Sequence, residues 1–83
     1  MKDIMENKET CLLLFDEKFV TINCDSLVSK AVLNIYSVDS VDVVFHKAVG
    51  GSNYFKFEHK LKSGRYNISF ETVNNKISKR VTI

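Results

Sequence analysis

The sequence predicts an all-β fold, an antiparallel sandwich of about seven short strands with one buried face in each sheet. The clearest pattern follows Gly64, which suits a tight turn because glycine adopts positive φ without steric cost. After it, the apolar residues Tyr66, Ile68 and Phe70 alternate with polar residues, which is the period of a half-buried strand. Turn residues recur roughly every 8–12 positions along the chain, and no helical period accompanies them.

The first two predicted strands are the apolar segments Cys11–Phe15 and Phe19–Asn23. The charged residues 16–18 that separate them predict a hairpin turn. With the turn centred on these three residues, Leu14 faces Val20 across the hairpin.

That register decides what is expected of the two cysteines. It places Leu12 opposite Ile22 and Cys11 opposite Asn23, one position away from Cys24. A disulfide between them would need a register shift or a bulge. We therefore expect free thiols, in keeping with a chain that starts like a cytoplasmic protein. Neither cysteine has a histidine near it in sequence that would activate it as a nucleophile.

The third predicted strand is Ala31–Tyr36, with Leu33 and Ile35 on the core side. Residues 37–40 form a turn, and a fourth strand, Val41–His46, follows it. The apolar residues that share one face of this fourth strand are Val41, Val43 and Phe45.

Residues 48–53, centred on two glycines, predict a flexible loop. The fifth strand, Tyr54–His59, comes after it with Phe55 and Phe57 pointing inward. If the fourth and fifth strands pair around this loop, they form a hairpin.

The sixth predicted strand is Arg65–Thr72, and the seventh is Lys76–Ile83. Asn74 and Asn75 between them predict a tight hairpin turn, because asparagine tolerates the left-handed conformation. The inward residues of the last strand are expected to be Ile77, Val81 and Ile83.

Eighty-three residues indicate one domain, which we place at residues 10–83 after a polar tail, residues 1–9. No apolar stretch approaches the roughly 20 residues that span a bilayer. The first ten residues lack the apolar core of a secretory signal. The sequence as it stands thus predicts a cytoplasmic protein. If it is instead the end of a longer exported chain, we expect it at the cell surface or secreted.

The net charge of +2 hides an asymmetry along the chain. Residues 1–45 contain four basic and eight acidic residues, and residues 46–83 contain eight basic and two acidic ones. A basic C-terminal half can steer an acidic partner toward its strands. If the strands of the two halves interleave in the fold, the asymmetry partly cancels.

No residue cluster has the pattern of a catalytic, metal or cofactor site. His46 and His59 are expected on the surface of the possible hairpin, where they could approach each other, but a metal site needs a third and a fourth ligand. The carboxylates are scattered over strand exteriors and turns, unlike a catalytic pair held in a cleft. We therefore predict no enzyme activity, no cofactor, no metal and no small-molecule substrate.

The segment 54–62 interleaves aromatic and basic residues, a pattern typical of single-stranded nucleic-acid binding. The alternation, however, puts Phe55 and Phe57 on the face opposite Lys56, which leaves Tyr54 as the aromatic on the face of the cations. Core aromatics with solvated lysines explain the pattern better, so nucleic acid is a secondary alternative.

The last strand carries Lys79 and Arg80. Charged residues on an edge strand protect it against unwanted pairing. Alternatively, the same edge accepts a strand from a partner, or from a second copy in a homodimer. The sequence leaves both interpretations open.

Four segments resemble one group of known domains: Ala31–Tyr36, Val41–Phe45, Leu61–Tyr66 with its L-x-x-G-x-Y turn, and the basic-then-apolar Lys79–Ile83. Across Phe19–Ile83 the chain resembles small immunoglobulin-like domains of Bacteroidetes, including the C-terminal sorting domains of type IX secretion cargo and related short secreted domains. The resemblance implies an immunoglobulin-like sandwich and a role in sorting or recognition.

We therefore predict a non-enzymatic protein-interaction module that docks a partner through an edge strand and a basic C-terminal face. One alternative is a small free-standing inhibitor, or an immunity or anti-defence protein, that blocks a partner enzyme. The second alternative is the single-stranded nucleic-acid binding described above. The residues predicted to contact a partner are Lys56, Lys60, Lys62, Arg65, Lys79 and Arg80.

Overall fold

The computed structural model describes residues 10–83, and the predicted tail, residues 1–9, lies outside them. The strands are β1 Cys11–Phe15, β2 Phe19–Val28, β3 Ala31–Ser37, β4 Val43–Val49, β5 Ser52–Glu58, β6 Arg65–Thr72 and β7 Lys76–Thr82. They form a three-stranded sheet of order β1-β2-β5 and a four-stranded sheet of order β4-β3-β6-β7, antiparallel throughout. The predicted seven-stranded sandwich is confirmed. Within residues 10–83 no helix is long and apolar enough to cross a bilayer.

The core lies between the two sheets, where alternate side chains of each strand meet. Phe55 of the three-stranded sheet lies against Phe70 of the four-stranded sheet, with ring centroids 5.9 Å apart. Phe45 and Phe57 form a second such pair at 6.1 Å. The largest fully buried side chains are Phe70, Ile22, Leu33, Ile35, Ile68, Val20 and Val28. The alternation predicted for β3, β5 and β6 is therefore confirmed.

The β1–β2 register differs from the prediction by one residue. Leu13 lies opposite Ile22, and Phe15 lies opposite Val20. The cause is Asp16, whose carboxylate accepts hydrogen bonds from the backbone N–H groups of Lys18 and Phe19. Because the Asp16 N–H also bonds the Phe19 carbonyl, the loop tightens to two residues. This shift buries Leu13 and turns Leu12 and Leu14 outward.

The same shift corrects the expectation of free thiols. Cys11 lies opposite Cys24 in the ladder, and the two form a disulfide. The neighbouring pair, Thr10 and Asp25, is hydrogen-bonded through its backbone. The cysteines therefore occupy a non-hydrogen-bonded position, where facing residues approach most closely.

The largest differences from the predicted strand ends are in β2 and β4. β2 continues to Val28 after a register shift that follows Asn23, and Val28 is fully buried. β4 begins at Val43 rather than Val41, because Val41 has a φ of 61° and belongs to the preceding turn. Val41 and Val43 are exposed, so only Phe45 of the predicted apolar face packs against the core.

The predicted hairpin between β4 and β5 is wrong, because the two strands belong to different sheets. Gly50 and Gly51 carry the chain from one sheet to the other. Gly50 lies so close to the connection between β2 and β3 that a Cβ at this position would overlap the Ser29 carbonyl oxygen. Gly51 has a φ of 73° and donates its N–H to the Val28 carbonyl at 2.8 Å. The β2–β3 and β4–β5 connections, which both change sheets, therefore meet at one end of the sandwich.

The loop between β5 and β6 ends at the predicted glycine turn. Gly64 has a φ of 156° and exchanges two backbone hydrogen bonds with Ile83. The Tyr66 hydroxyl donates to the Lys62 carbonyl at 2.8 Å and closes the loop. The end of β7 is therefore fixed beside the start of β6.

Candidate functional site

Four strands have an open edge: β1 and β5 in one sheet, and β4 and β7 in the other. Gly64 and Ile83 form a hydrogen-bonded pair, and hydrogen-bonded pairs alternate with non-hydrogen-bonded pairs along an antiparallel ladder. This pair therefore identifies the β7 backbone groups that do not bond to β6. Ile77, Lys79 and Val81 bond to β6. The outward N–H and C=O groups, which we call the β7 edge, belong to Lys76, Ser78, Arg80 and Thr82.

Basic side chains flank the β7 edge. The Arg80 Nε donates to the Asn67 side-chain oxygen at 3.1 Å, on the outer face of the four-stranded sheet. Lys79 lies on the opposite side of the strand, where its Nζ reaches the Leu13 carbonyl of β1 at 3.4 Å. Within residues 10–83, neither of these cations nor Lys76 has a carboxylate within ion-pair distance. Among the described residues, the edge therefore carries three cations outside ion pairs, with Glu71 opposite Lys76 in the ladder as the neighbouring carboxylate.

Arg65 already forms an ion pair. Its Nη2 forms an exposed ion pair with Asp39 at 2.6 Å, on the outer face beside β7. An exposed pair of this kind contributes little to stability, about 0–1 kcal/mol, so a stronger partner can displace it.

Lys60 and Lys62 lie in the loop that leads to Gly64. Lys60 has a φ of 53°, and the Lys62 carbonyl accepts the Tyr66 hydroxyl. Because Gly64 pairs with Ile83, this loop stands at the C-terminal end of β7. The end of the loop therefore lies beside the C-terminal end of β7, and both lysines are exposed.

Lys56 stands apart from the other predicted contact residues. It lies on the outer face of the three-stranded sheet, with its Nζ over the Phe19 ring, 4.3 Å from the centroid. The six predicted residues therefore do not share one surface: Arg65, Lys79 and Arg80 lie on or beside β7, and Lys56 lies on the outer face of the other sheet. Lys60 and Lys62 lie in the loop before Gly64. The Lys56–Phe19 contact also covers a ring that would otherwise be available for stacking on a base.

The two histidines are not neighbours. His46 is exposed on β4, where its Nδ1 lies 2.5 Å from the Asn34 side-chain oxygen. His59 is only 5% exposed, so the expectation that it lies on the surface is wrong. In the described part of the chain, no three His, Cys, Asp or Glu side chains are grouped as metal ligands.

One carboxylate has a shifted pKa. The backbone N–H groups of Phe19 and Lys18, at 2.6 and 2.8 Å, lower the pKa of Asp16 below its usual 3.8 because they stabilise the ionised form. This shift belongs to the β1–β2 turn and has a structural role.

The open edge of β4 was not predicted from the sequence. Val41, Val43 and Val44 are all largely exposed there. Their spacing breaks the alternation expected of a half-buried strand, which was the available signal. A groove of about 670 Å³ lies at the other end of β4, beside Gly50.

No protein-family model matches this chain, and no curated protein matches it in sequence. Its structure is similar to the crystal structure of a DUF3244 family protein with an immunoglobulin-like β-sandwich fold from Bacteroides vulgatus. The TM-score is 0.78 at 13% sequence identity, and the match covers 88% of this chain and 83% of that one. At this identity the likeness establishes the fold: the chain is an immunoglobulin-like β-sandwich.

Proposed function

We propose that this protein is a non-enzymatic interaction module that binds an acidic, extended segment of a partner protein as an additional strand on the β7 edge. The observation that carries the proposal is the row of free backbone groups from Lys76 to Thr82 beside three cations that form no ion pair within residues 10–83. Backbone hydrogen bonds supply affinity in strand addition, and flanking side chains supply specificity.

The side chains around β7 favour an acidic segment. A strand added beside Ser78 places its own side chains next to Lys76 and Arg80 on the outer face. Arg65 lies opposite Thr82 at one end of the same edge, and Lys62 is two residues before Gly64, which pairs with Ile83. Opposite charges across neighbouring strands stabilise pairing, and like charges oppose it.

A sorting or recognition role is the form of this proposal that the resemblance to Bacteroidetes sorting domains suggests. The similar solved structure from Bacteroides vulgatus supports the shared sandwich fold on which such a role would be built. The partner segment is then the recognised element, and the β7 edge is its receptor.

The experiment is a selection of random displayed peptides on the immobilised protein, followed by NMR titration of the enriched sequences. We expect acidic peptides, with amide shifts at Ser78 and Arg80. Ser78→Pro removes an outward N–H without breaking the β6–β7 ladder, and it should weaken binding at least 10-fold. Ala48→Pro blocks a different open edge and serves as the matched control.

Charge is tested separately from the backbone. Lys79→Glu combined with Arg80→Glu should abolish binding of acidic peptides at physiological salt. If the selected peptides bind this double variant and Ser78→Pro as tightly as they bind the natural protein, the β7 edge is not the docking site.

A further inference from the structure

The outer face of the four-stranded sheet carries two side-chain pairs of the same kind. On β3 and β4, Asn34 faces His46 in the ladder, and the His46 Nδ1 lies 2.5 Å from the Asn34 side-chain oxygen. On β6 and β7, Asn67 faces Arg80, and the Arg80 Nε donates to the Asn67 side-chain oxygen at 3.1 Å. In each pair, a residue of an edge strand fixes the amide of an asparagine on an inner strand.

These two bonds determine which groups remain for a ligand. Because each amide oxygen accepts a hydrogen bond, the NH2 groups of Asn34 and Asn67 remain as donors. The neutral His46 ring donates from Nδ1 and keeps Nε2 as an acceptor, and Arg80 keeps the two terminal nitrogens of its guanidinium. Within residues 10–83, none of these remaining groups forms a further hydrogen bond or an ion pair. The face therefore presents donors and acceptors that are already held in position.

Ser69 lies between the two pairs. It faces Asn34 on β3 and Ser78 on β7, and it is only 9% exposed. Its side chain belongs to the outer face, because its neighbours Ile68 and Phe70 are buried in the core. Among the described residues, the Ser69 hydroxyl has no hydrogen-bond partner. Buried polar groups are almost always hydrogen-bonded, so this hydroxyl indicates a partner from outside the chain.

Apolar surface adjoins these polar groups on both sides. Tyr36 is half-buried and faces Asn67 in the ladder. In the other direction, Val32 and Ala48 lie in the row beyond Asn34, where they help to line the groove of about 670 Å³. Fixed polar groups beside apolar surface suit a sugar ring, whose hydroxyls both donate and accept at its rim and whose C–H groups form its two faces.

The charges on this face specify the sugar further. Arg65 is paired with Asp39 at one end of the face, and Lys76 faces Glu71 at the other end. Arg80 is thus the cation of the described outer face without a facing or paired carboxylate. A guanidinium binds a carboxylate through two parallel hydrogen bonds. One cation among neutral amides and hydroxyls favours a ligand with a carboxylate and several hydroxyls over a nucleic acid, which needs several cations for its phosphates.

We propose that the outer face of the four-stranded sheet binds an oligosaccharide that contains a uronic acid. The uronate carboxylate lies at the Arg80 guanidinium, and hydroxyls of the sugar rings bond to Asn67, Ser69 and Asn34. Strand geometry separates the two rows of polar side chains by about 7 Å and spans about 14 Å across the four strands, which accommodates a short oligosaccharide. This site goes beyond strand addition, because it uses side chains of the face and leaves the backbone of the β7 edge free.

The first test is an NMR titration with oligosaccharides of three uronate polymers: polygalacturonate, hyaluronan and alginate. We expect at least one of them to shift the backbone amides of Asn34, Asn67 and Ser69. The carboxyl-reduced form of that oligosaccharide, in which each carboxylate is replaced by a hydroxymethyl group, should bind at least about 10-fold more weakly. Binding of none of the three, or equal binding of the reduced form, overturns the proposal.

Substitutions locate the site. Asn67→Ala removes one fixed amide and should weaken binding of the same oligosaccharide about 10-fold. Asn23→Ala is the matched control, because Asn23 is exposed on the outer face of the other sheet, and it should leave binding unchanged. Equal effects of these two substitutions, in variants whose spectra show the native fold, overturn the site.

A third variant separates this proposal from strand addition on β7. Asn34→Ala lies on β3, away from the β7 edge. It should weaken oligosaccharide binding about 10-fold and leave the binding of acidic peptides to the β7 edge unchanged. Unchanged oligosaccharide binding in both Asn34→Ala and Asn67→Ala would show that the two amides do not form the site.

Discussion

The imidazole of His59 stacks on the phenyl ring of Phe15, with centroids 4.6 Å apart and planes 13° from parallel. The Nδ1 of His59 accepts the Leu61 N–H at 3.1 Å, and the Nε2 therefore donates to the Asp16 carbonyl at 2.7 Å. The His59 N–H also bonds the Lys18 carbonyl. One buried side chain thus joins the end of β5 to the β1–β2 turn.

His59→Ala should lower the free energy of unfolding by about 2–3 kcal/mol, because it removes the ring stack and leaves the partly buried Asp16 carbonyl and Leu61 N–H without this partner. Urea denaturation at neutral pH measures the effect. His46→Ala is the matched control, since that histidine is exposed, and it should change stability by less than about 0.5 kcal/mol. Equal effects of the two substitutions would contradict the structural role of His59.

The Cys11–Cys24 disulfide encloses a short hairpin, and it should stabilise the protein by about 3 kcal/mol through restriction of the unfolded chain. The double variant Cys11→Ser, Cys24→Ser should show this loss in urea denaturation. Adding reductant should lower the stability of the natural protein to a similar extent and leave the double variant unchanged. A natural protein insensitive to reductant would contradict the prediction.

Asp16 should make stability depend on acidity. Its pKa is lower in the folded state than in the unfolded chain, so its contribution is present above about pH 4. The contribution is lost as the pH falls through the lower, folded-state value. Asp16→Asn should reduce stability at neutral pH. It should also reduce the loss of stability that occurs as the pH falls from about 4 to about 2. Melting temperatures of both proteins across this range make the comparison, and parallel curves would contradict it.

Gly64→Val should destabilise the protein by about 1–3 kcal/mol, because a β-branched residue resists a φ of 156°. Steric overlap is not the cause of this destabilisation, since a Cβ at this position would lie 3.4 Å from the Tyr66 hydroxyl, an ordinary contact. Ser63→Val tests the added valine without the backbone constraint and should be nearly neutral. Thermal denaturation of the two variants distinguishes these effects.

Val41→Asn should raise the free energy of unfolding, in contrast to Gly64→Val. Val41 is exposed and holds a left-handed φ of 61°, which asparagine adopts at lower cost. We expect a gain of about 1 kcal/mol in the free energy of unfolding, measured by urea denaturation. Val43→Asn replaces an equally apolar exposed residue of the strand itself and should give no gain.

The sequence predicted best where alternation was regular. β6 has the predicted ends, and its Tyr66, Ile68 and Phe70 are buried as expected. The first hairpin has the predicted strand β1 but a shifted register, because register depends on how the turn closes. The Asp16 side chain decides that closure by accepting two backbone N–H groups, and strand alternation carries no information about it.

The candidate site was less predictable for a similar reason. Lys79 and Arg80 were correctly expected on the terminal strand, and β7 does form a sheet edge. Whether Lys56 shares a surface with them depends on the sheet to which β5 belongs. Two apolar strands joined through Gly50 and Gly51 read as a hairpin, whereas the chain changes sheets there. That choice is made by contacts distant in sequence.

The strands of the two sheets alternate along the chain, and this order determines how the protein unfolds. The three-stranded sheet needs residues 11–28 and 52–58, and the four-stranded sheet needs residues 31–49 and 65–82. No single cut in the chain separates the strands of one sheet from the strands of the other. Neither sheet is therefore an independent folding unit, and we expect unfolding to be a single cooperative transition with slow, non-local strand assembly on the return path.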